Sequence, residues 1–161
     1  MSETPGPIVL SPYMSNASRE LLDAQRRVFA HLNVPLEQVC IDGTAHGAWM
    51  DNVAKSEDAG TVVFADIDAF PLTRAAHERA VAAASDGRIF GLAQSANHLA
   101  NTSPYAGPCY LAFDRMVFRA IGSPSLAHDY RCDPAQALSI RAYERQVAVE
   151  LVRPTTVLKP L

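Results

Sequence analysis

Short apolar runs alternate with longer amphipathic segments along the chain. The runs at 7–10, 38–41 and 61–65 predict strands, because each is short and ends at turn-forming residues. The run at 61–65 is apolar or β-branched at every position. That pattern is typical of a strand buried on both faces, as in a parallel sheet with a helix layer on either side.

Amphipathic segments with polar capping residues separate and follow these runs. Ser15 or Asn16 can cap the first helix, Thr44 the second, and Thr73 an alanine-rich third. The pattern predicts helices over 16–32, 44–55, 73–84, 114–121 and 134–146, and further strands over 88–93, 109–113 and within 148–158. This order, β-α-β-α-β-α-β and then β-α-α-β, predicts an α/β fold with a mostly parallel central sheet flanked by helices.

Composition fits one folded domain spanning 1–161. The chain is 48% hydrophobic and 19% charged, which is typical of globular proteins and excludes a disordered chain. Its net charge of −3 makes a nucleic-acid partner less favoured. The three cysteines form no CxxC pair, and free thiols indicate a reducing compartment. No leader pattern or membrane-spanning run is present, so we expect a cytoplasmic protein.

Two carboxylates close the most hydrophobic strand. Asp66 and Asp68 follow the 61–65 run and flank a single residue, Ile67. Ligands of open α/β sheets bind beyond the carboxyl ends of strands, and paired carboxylates suit a hard cation such as Mg²⁺ or Mn²⁺. Such a cation attracts a diphosphate. The alternative is an ordinary turn, since aspartate is common where strands end.

Residues after the other strands would form walls beside this pair. Ser11, Pro12 and Tyr13 follow the first predicted strand, and Asp42 and His46 follow the second. Tyr13 could stack on a base, and Asp42 could accept a hydrogen bond from a ribose or base. We therefore predict that these five residues, together with Asp66, bind a nucleotide.

Amides and histidines supply further candidates. Gln94, Asn97 and Asn101 form an amide-rich stretch suited to sugar hydroxyls, and equally suited to a solvated loop. His98 is in the same stretch. His77 lies among charged residues of the third predicted helix, and we expect it to be solvated.

The segment from the first strand to Asp68 resembles the nucleotide-binding half of GT-A glycosyltransferases, which use nucleotide-sugar donors. That half is an ordered strand–helix–strand–helix–strand ending in DxD, and here it would comprise 1–72. Phe70, Pro71 and Leu72 resemble the D-x-D-x-x-P continuation of several such enzymes. Gly107 precedes an apolar strand and a helix with the pattern R-x-x-F from Arg115, which resembles a later segment of the same enzymes. By this resemblance, 73–161 would bind the sugar and the acceptor.

The resemblance implies roles for further residues. Asp66 and Asp68 would hold Mn²⁺ or Mg²⁺ against the donor diphosphate. Some family members add a histidine near the C-terminus, and His128 is the candidate here because the final residues contain none. Asp133 would be the general base that deprotonates the acceptor, with Asp114 as its rival. Gly107 would lie beside the sugar.

The sequence thus predicts a metal-dependent glycosyltransferase acting on an unknown acceptor hydroxyl. One alternative is a catalytically reduced protein that binds a nucleotide-sugar without turnover. Another is a phosphatase of the haloacid dehalogenase type, but Phe70 stands where that family normally has Thr or Val. Because about 90 residues remain for the sugar and acceptor, we expect an acceptor that is small or held on an open surface, or a further subunit, such as a second copy of the chain, that helps to complete the site.

Overall fold

Strands and helices follow one another in the predicted order throughout the part of the chain that the computed structural model describes, residues 7–56, 58, 60–99, 103–153 and 155. The strands are β1 Val9–Tyr13, β2 Leu36–Cys40, β3 Thr61–Ala65, β4 Ile89–Gln94, β5 Tyr105–Asp114 and β6 Val149–Val152. The helices are α1 Arg19–His31, α2 His46–Lys55, α3 Arg74–Ser85, α4 Arg115–Ala120 and α5 Gln136–Glu144. The predicted α/β architecture is therefore confirmed.

The six strands form one sheet in the order β2-β1-β3-β5-β4-β6. β1 is parallel to β2 and β3, and β4 is parallel to β6, whereas β5 is antiparallel to both of its neighbours. The sheet is thus mostly parallel, as predicted. The surroundings of β3 differ from the predicted parallel sheet in one respect, because its second neighbour, β5, runs antiparallel to it.

β3 is buried on both faces, as its composition predicts. Val62 and Phe64 point into a core shared with α2, α4 and α5, where Phe64 packs edge-on against Trp49 with ring centroids 5.6 Å apart. Val63 and Ala65 point into a second core together with Phe29 of α1 and the alanines of α3. Helices therefore cover both faces and leave the strand ends free to form a site.

Two strands extend beyond their predicted bounds. β1 continues through Ser11, Pro12 and Tyr13, which we had placed after the strand, because it pairs with β2 as far as Tyr13 opposite Cys40. β1 pairs with β3 only as far as Leu10. Pro12, which has no N–H to donate, therefore lies beyond the hydrogen bonds between these two strands. β5 begins at Tyr105 and pairs with the end of β4.

The helix starts show which capping predictions hold. Thr73 caps α3, its Oγ1 accepting a hydrogen bond from the Ala76 N–H at 3.2 Å. α1 begins at Arg19 and α2 at His46, both later than predicted and without a side-chain cap. Among the described residues, no helix is both long and apolar enough to cross a membrane.

His77 is buried, and the prediction that it is solvated is wrong. Only 6% of the residue is exposed, and its Nδ1 lies 2.8 Å from the hydroxyl oxygen of Tyr110. It lies on the side of α3 that packs against β5, whereas the charged neighbours Arg74 and Glu78 pair with each other on the exposed side. Burial lowers the pKa of His77 below its usual 6.5.

This burial predicts a loss of stability in mild acid. Between pH 6.5 and the lower pKa of His77 in the folded state, the unfolded chain binds a proton that the folded state does not bind. The free energy of unfolding therefore falls as pH falls through this range, by up to about 1.4 kcal/mol per pH unit. Urea unfolding at pH 7.5 and pH 5.5 should show a smaller loss in His77→Gln than in the wild type. His31→Gln, at the exposed end of α1, is the control; equal losses in all three proteins would contradict the assignment.

Candidate functional site

A cleft of about 480 Å³ lies at the carboxyl ends of β1, β2 and β3. Three chain segments contribute its lining residues, which are Pro12–Met14, Asn16 and Ala17, then Ile41 and Thr44–His46, and finally Asp66–Asp68. The parallel pairing of β1 with both neighbours brings these segments to one edge of the sheet. Of the predicted nucleotide-binding residues, Pro12, Tyr13, His46 and Asp66 line this cleft, as does Asp68.

Asp66, Asp68 and His46 form the polar wall of the cleft. His46 begins α2, and its Nε2 lies 3.5 Å from Oδ1 of Asp66. That nitrogen is buried and has no hydrogen-bond partner among the described residues. Both side chains are partly exposed, 34% for His46 and 26% for Asp66. A ligand in the cleft therefore meets two carboxylates and the exposed part of the His46 ring.

A buried glutamine fixes the backbone that carries the two aspartates. Gln25, on the inner side of α1, is 1% exposed, and its Nε2 donates to the carbonyl oxygens of Asp66 at 2.8 Å and Ala69 at 3.2 Å. Its Oε1 accepts from Gln38 Nε2 at 2.8 Å. The Ala69 N–H also donates to the Asp66 carbonyl, closing a turn. The turn that carries Asp68 is therefore held from the core side.

Cys109 lies beneath the carboxylates. Its carbonyl accepts from the Asp66 N–H at 3.0 Å, and its thiol accepts from Gln94 Nε2 at 2.8 Å. Burial, followed by the negative charge of Asp66, raises the pKa of the Cys109 thiol to about 11, so the thiol is neutral at pH 7. Gly107 makes room for this arrangement, because a Cβ there would lie 2.1 Å from Gln94 Oε1.

Two predicted nucleotide-binding residues, Asp42 and Ser11, do not line the cleft. The Asp42 carboxylate accepts from the Ser15 N–H at 2.8 Å, and hydrogen bonds from Ser15 lower the pKa of Asp42. This contact ties the segment after β1 to the end of β2. Ser11 lies in the interior of β1, fully buried, with no hydrogen-bond partner for its hydroxyl among the described residues.

A second polar cluster, formed by Asp133, His98 and Tyr105, lies at the start of β5. Asp133 is 3.1 Å from His98 Nε2 through Oδ1, and its Oδ2 accepts from the Tyr105 hydroxyl at 3.3 Å. Burial and the adjacent Asp133 charge raise the pKa of Tyr105. Tyr105 pairs with Gln94 at the end of β4, and β4 runs in the same direction as β3 because both are antiparallel to β5. The predicted base thus belongs to the same edge of the sheet as the aspartate pair.

Other predicted site residues are not brought together with Asp66 and Asp68. Asp114 pairs with Thr61, where β3 begins, and its Oδ1 accepts from the Met116 N–H at 2.7 Å as the cap of α4. It therefore lies at the opposite end of β3. Asn97 accepts from Ser95 Oγ at 3.0 Å in the loop after β4. Asn101 lies outside the described residues.

His128 is exposed on a loop that contacts α2. A Cβ on Gly47 would lie 2.7 Å from the Leu126 carbonyl oxygen, so the loop packs directly onto the first turn of α2. The Leu126 N–H also donates to Asp51. Within the described part of the chain, no three His, Cys, Asp or Glu side chains are grouped to hold a metal ion. A role for His128 as third ligand remains a prediction.

Sequence reasoning missed the residues that hold the site in place. Gln25 and Gln38 lie on a helix and a strand, and nothing local distinguishes them from solvated glutamines. One usable signal was the helical position of Gln25, which lies four residues before Phe29, a core residue on the same side of α1. Cys109 gave no such signal, because a free cysteine in a strand is ordinary core composition.

Two solved structures of low sequence identity share the described α/β fold. No protein-family model and no curated protein sequence matches the chain. A similar solved structure is 4-diphosphocytidyl-2C-methyl-D-erythritol synthase from Anaerococcus prevotii, with a TM-score of 0.55, 12% identity, and coverage of 93% of this chain and 90% of that one. A Drosophila β1,4-galactosyltransferase 7, solved with manganese, UDP-Gal and xylobiose, has a TM-score of 0.56, 12% identity, and coverage of 94% and 66%.

The glutamine contact predicts a coupled loss of stability and local order. Gln25→Leu removes the Nε2 donor from both carbonyls, but the Asp66 carbonyl keeps the Ala69 N–H. The Ala69 carbonyl loses its side-chain donor, and an unsatisfied group of this kind costs about 1–3 kcal/mol. We expect a lower urea midpoint and faster amide hydrogen exchange at Ala69. Arg19→Leu, on the exposed side of the same helix, should change stability by less than about 0.5 kcal/mol. Unchanged exchange at Ala69 in Gln25→Leu would refute the contact.

Proposed function

We propose that the protein is a metal-dependent transferase that moves a sugar from a nucleotide-sugar to an acceptor hydroxyl. The observation that carries this proposal is the cleft at the ends of β1, β2 and β3, with Asp66 and Asp68 on its wall. Its volume of about 480 Å³ lies within the usual range for small-ligand sites. The shared fold with a galactosyltransferase solved with manganese and UDP-Gal supports it.

The residues present fit a hard divalent cation. Mg²⁺ is usually held by one or two carboxylates, with water and substrate phosphates completing its coordination, so a third protein ligand is not required. Asp66 and Asp68 supply carboxylate oxygens from the wall of the cleft. The bound cation would neutralise charge on the departing diphosphate.

Other residues would position the nucleotide and take up the proton of the acceptor hydroxyl. Residues 12–17 and Ile41 give the nucleotide an apolar and aromatic wall, with Tyr13 available to a base. In transfer, the acceptor oxygen bonds to the anomeric carbon as the bond to the diphosphate breaks, and the acceptor proton passes to a base. Asp133 is our candidate base, with His98 and Tyr105 orienting its carboxylate.

Nucleotidyl transfer is the second candidate, because the described fold is also shared with a diphosphocytidyl-methylerythritol synthase. The chain covers 90% of the diphosphocytidyl-methylerythritol synthase but only 66% of the galactosyltransferase. The two reactions release different products. Transfer of a sugar from a nucleotide-sugar releases a nucleoside diphosphate, whereas transfer of a nucleotide from a nucleoside triphosphate to a phosphorylated acceptor releases pyrophosphate.

Calorimetric titration of nucleotide-sugars with and without Mn²⁺ tests the site. We expect Mn²⁺-dependent binding of one donor, weakened about tenfold or more in Asp68→Asn, because the lost charge removes at least about 1.4 kcal/mol. Asp23→Asn, an exposed aspartate of α1, is the matched control and should bind as the wild type does. Equal affinity in Asp68→Asn and the wild type would overturn the metal site.

Product analysis on the same samples separates the candidate activities. Release of nucleoside diphosphate supports glycosyl transfer, and release of pyrophosphate from a nucleoside triphosphate supports nucleotidyl transfer. Binding without either product identifies a nucleotide-sugar-binding protein and overturns the enzyme proposal. Orthophosphate release from simple phosphomonoesters, lost in Asp66→Asn, would instead identify a phosphatase.

A further inference from the structure

A second cleft adjoins the first at Asp68. It has a volume of about 450 Å³ and is lined by residues 68–72, by Ala76 of α3, and by Leu92, Tyr110 and Val152 of the sheet. Asp68 lines both clefts, whereas the remaining lining residues of the second cleft do not appear in the first. A molecule seated in this second cleft therefore has one end at the proposed metal carboxylates.

The lining of this second cleft is almost entirely apolar. Phe70, Pro71 and Leu72 form one wall, and Leu92 and Val152 form the other. Tyr110 brings the one hydroxyl among the lining side chains, and that oxygen already lies 2.8 Å from Nδ1 of the buried His77. Apart from Asp68 at its end and the Tyr110 hydroxyl, the lining side chains of the cleft offer a ligand apolar contact.

Large apolar side chains on both walls face solvent. Leu72 is 86% exposed, Phe70 42% and Leu92 36%. Leaving such side chains in water gives up the free energy of burying them, and a cluster of them rimming a cleft marks a binding site. The other flank of residues 70–72 forms a further cavity against α1, so this segment is apolar on both sides.

We propose that this second cleft binds the apolar body of the acceptor, a small uncharged alcohol with an aromatic or aliphatic skeleton. The skeleton lies between Leu72 and Leu92, and the hydroxyl lies at the Asp68 end, where the donor diphosphate would be held. Asp133 does not line this cleft, so it would not be the base for this acceptor. The volume of about 450 Å³ admits a small molecule. The acceptor role rests on the proposed function, whereas binding in the cleft does not.

Equilibrium dialysis with 2-naphthylmethanol tests the proposal. Leu72→Ser changes one wall and Leu92→Thr the other, and circular dichroism verifies that both variants fold. We expect each to bind the alcohol about tenfold more weakly, because each removes part of the apolar contact surface. Met116→Ser, which removes a 59% exposed side chain of α4, is the matched control and should bind as the wild type does. Erythritol, a polar alcohol, should not displace the probe.

Two results would overturn the proposal. One is equal binding of 2-naphthylmethanol by the wild type, Leu72→Ser and Leu92→Thr. The other is a wild-type dimer in sedimentation that becomes a monomer in Leu72→Ser, because a second copy would then cover the walls.

Calorimetry with UDP and Mn²⁺ on the same samples separates failure of this proposal from failure of the proposed function. Donor binding that persists in the wild type and both cleft variants, together with weakened alcohol binding, supports the acceptor role. Leu72-dependent alcohol binding without binding of any nucleotide or nucleotide-sugar would leave the apolar site standing and overturn its role as an acceptor site. Nucleotide binding without alcohol binding would overturn the apolar site and leave the proposed function intact.

Discussion

Burial of β3 on both faces is the constraint on which the rest of the structure depends. A strand with Val62 and Phe64 in one core and Val63 and Ala65 in the other has no freedom to shift, because a one-residue slip would exchange its faces. Asp66 is the first position after this strand at which a carboxylate can reach solvent. The hydrophobic strand thereby fixes the place of the polar site.

The hydrogen bonds around Asp66 all hold the turn from Asp66 to Ala69. Gln25 holds the carbonyls of Asp66 and Ala69 from the α1 side, and Cys109 accepts from the Asp66 N–H on the β5 side. His46 faces the carboxylate from the start of α2. Because a helix on either face of the sheet and the neighbouring strand contribute, the position of the aspartate pair is set by the assembled fold rather than by its own loop.

The element order was predictable because each element depends on local patterning. The uniformly apolar β3 and the Thr73-capped α3 could be identified from their own residues. The direction of the strand beside β3 could not be predicted from β3 itself. Burial on both faces is compatible with a parallel neighbour and equally with the antiparallel neighbour β5. The length of β1 depended on its pairing with β2, which the residues around Pro12 do not indicate.

The candidate site was predictable only where its residues follow strands. Asp66, Asp68 and Tyr13 line the cleft for that reason, whereas Asp114, which also ends a strand, lies at the other edge because β5 is antiparallel to β3. Strand direction therefore decides which strand-end carboxylates meet. The burial of His77 and Gln25 depends on contacts between distant elements and could not be predicted from their neighbours.

Paramagnetic broadening by Mn²⁺ in the presence of a nucleoside diphosphate tests most directly whether the aspartate pair is a metal site. Because the effect falls steeply with distance, amide signals of residues 66–69 and of His46 should broaden first. Those of Thr61 and Asp114, at the opposite end of β3, should persist at the same Mn²⁺ concentration, and Asp68→Asn should abolish the difference. Selective broadening around His98 and Asp133, or equal broadening at both ends of β3, would contradict the account.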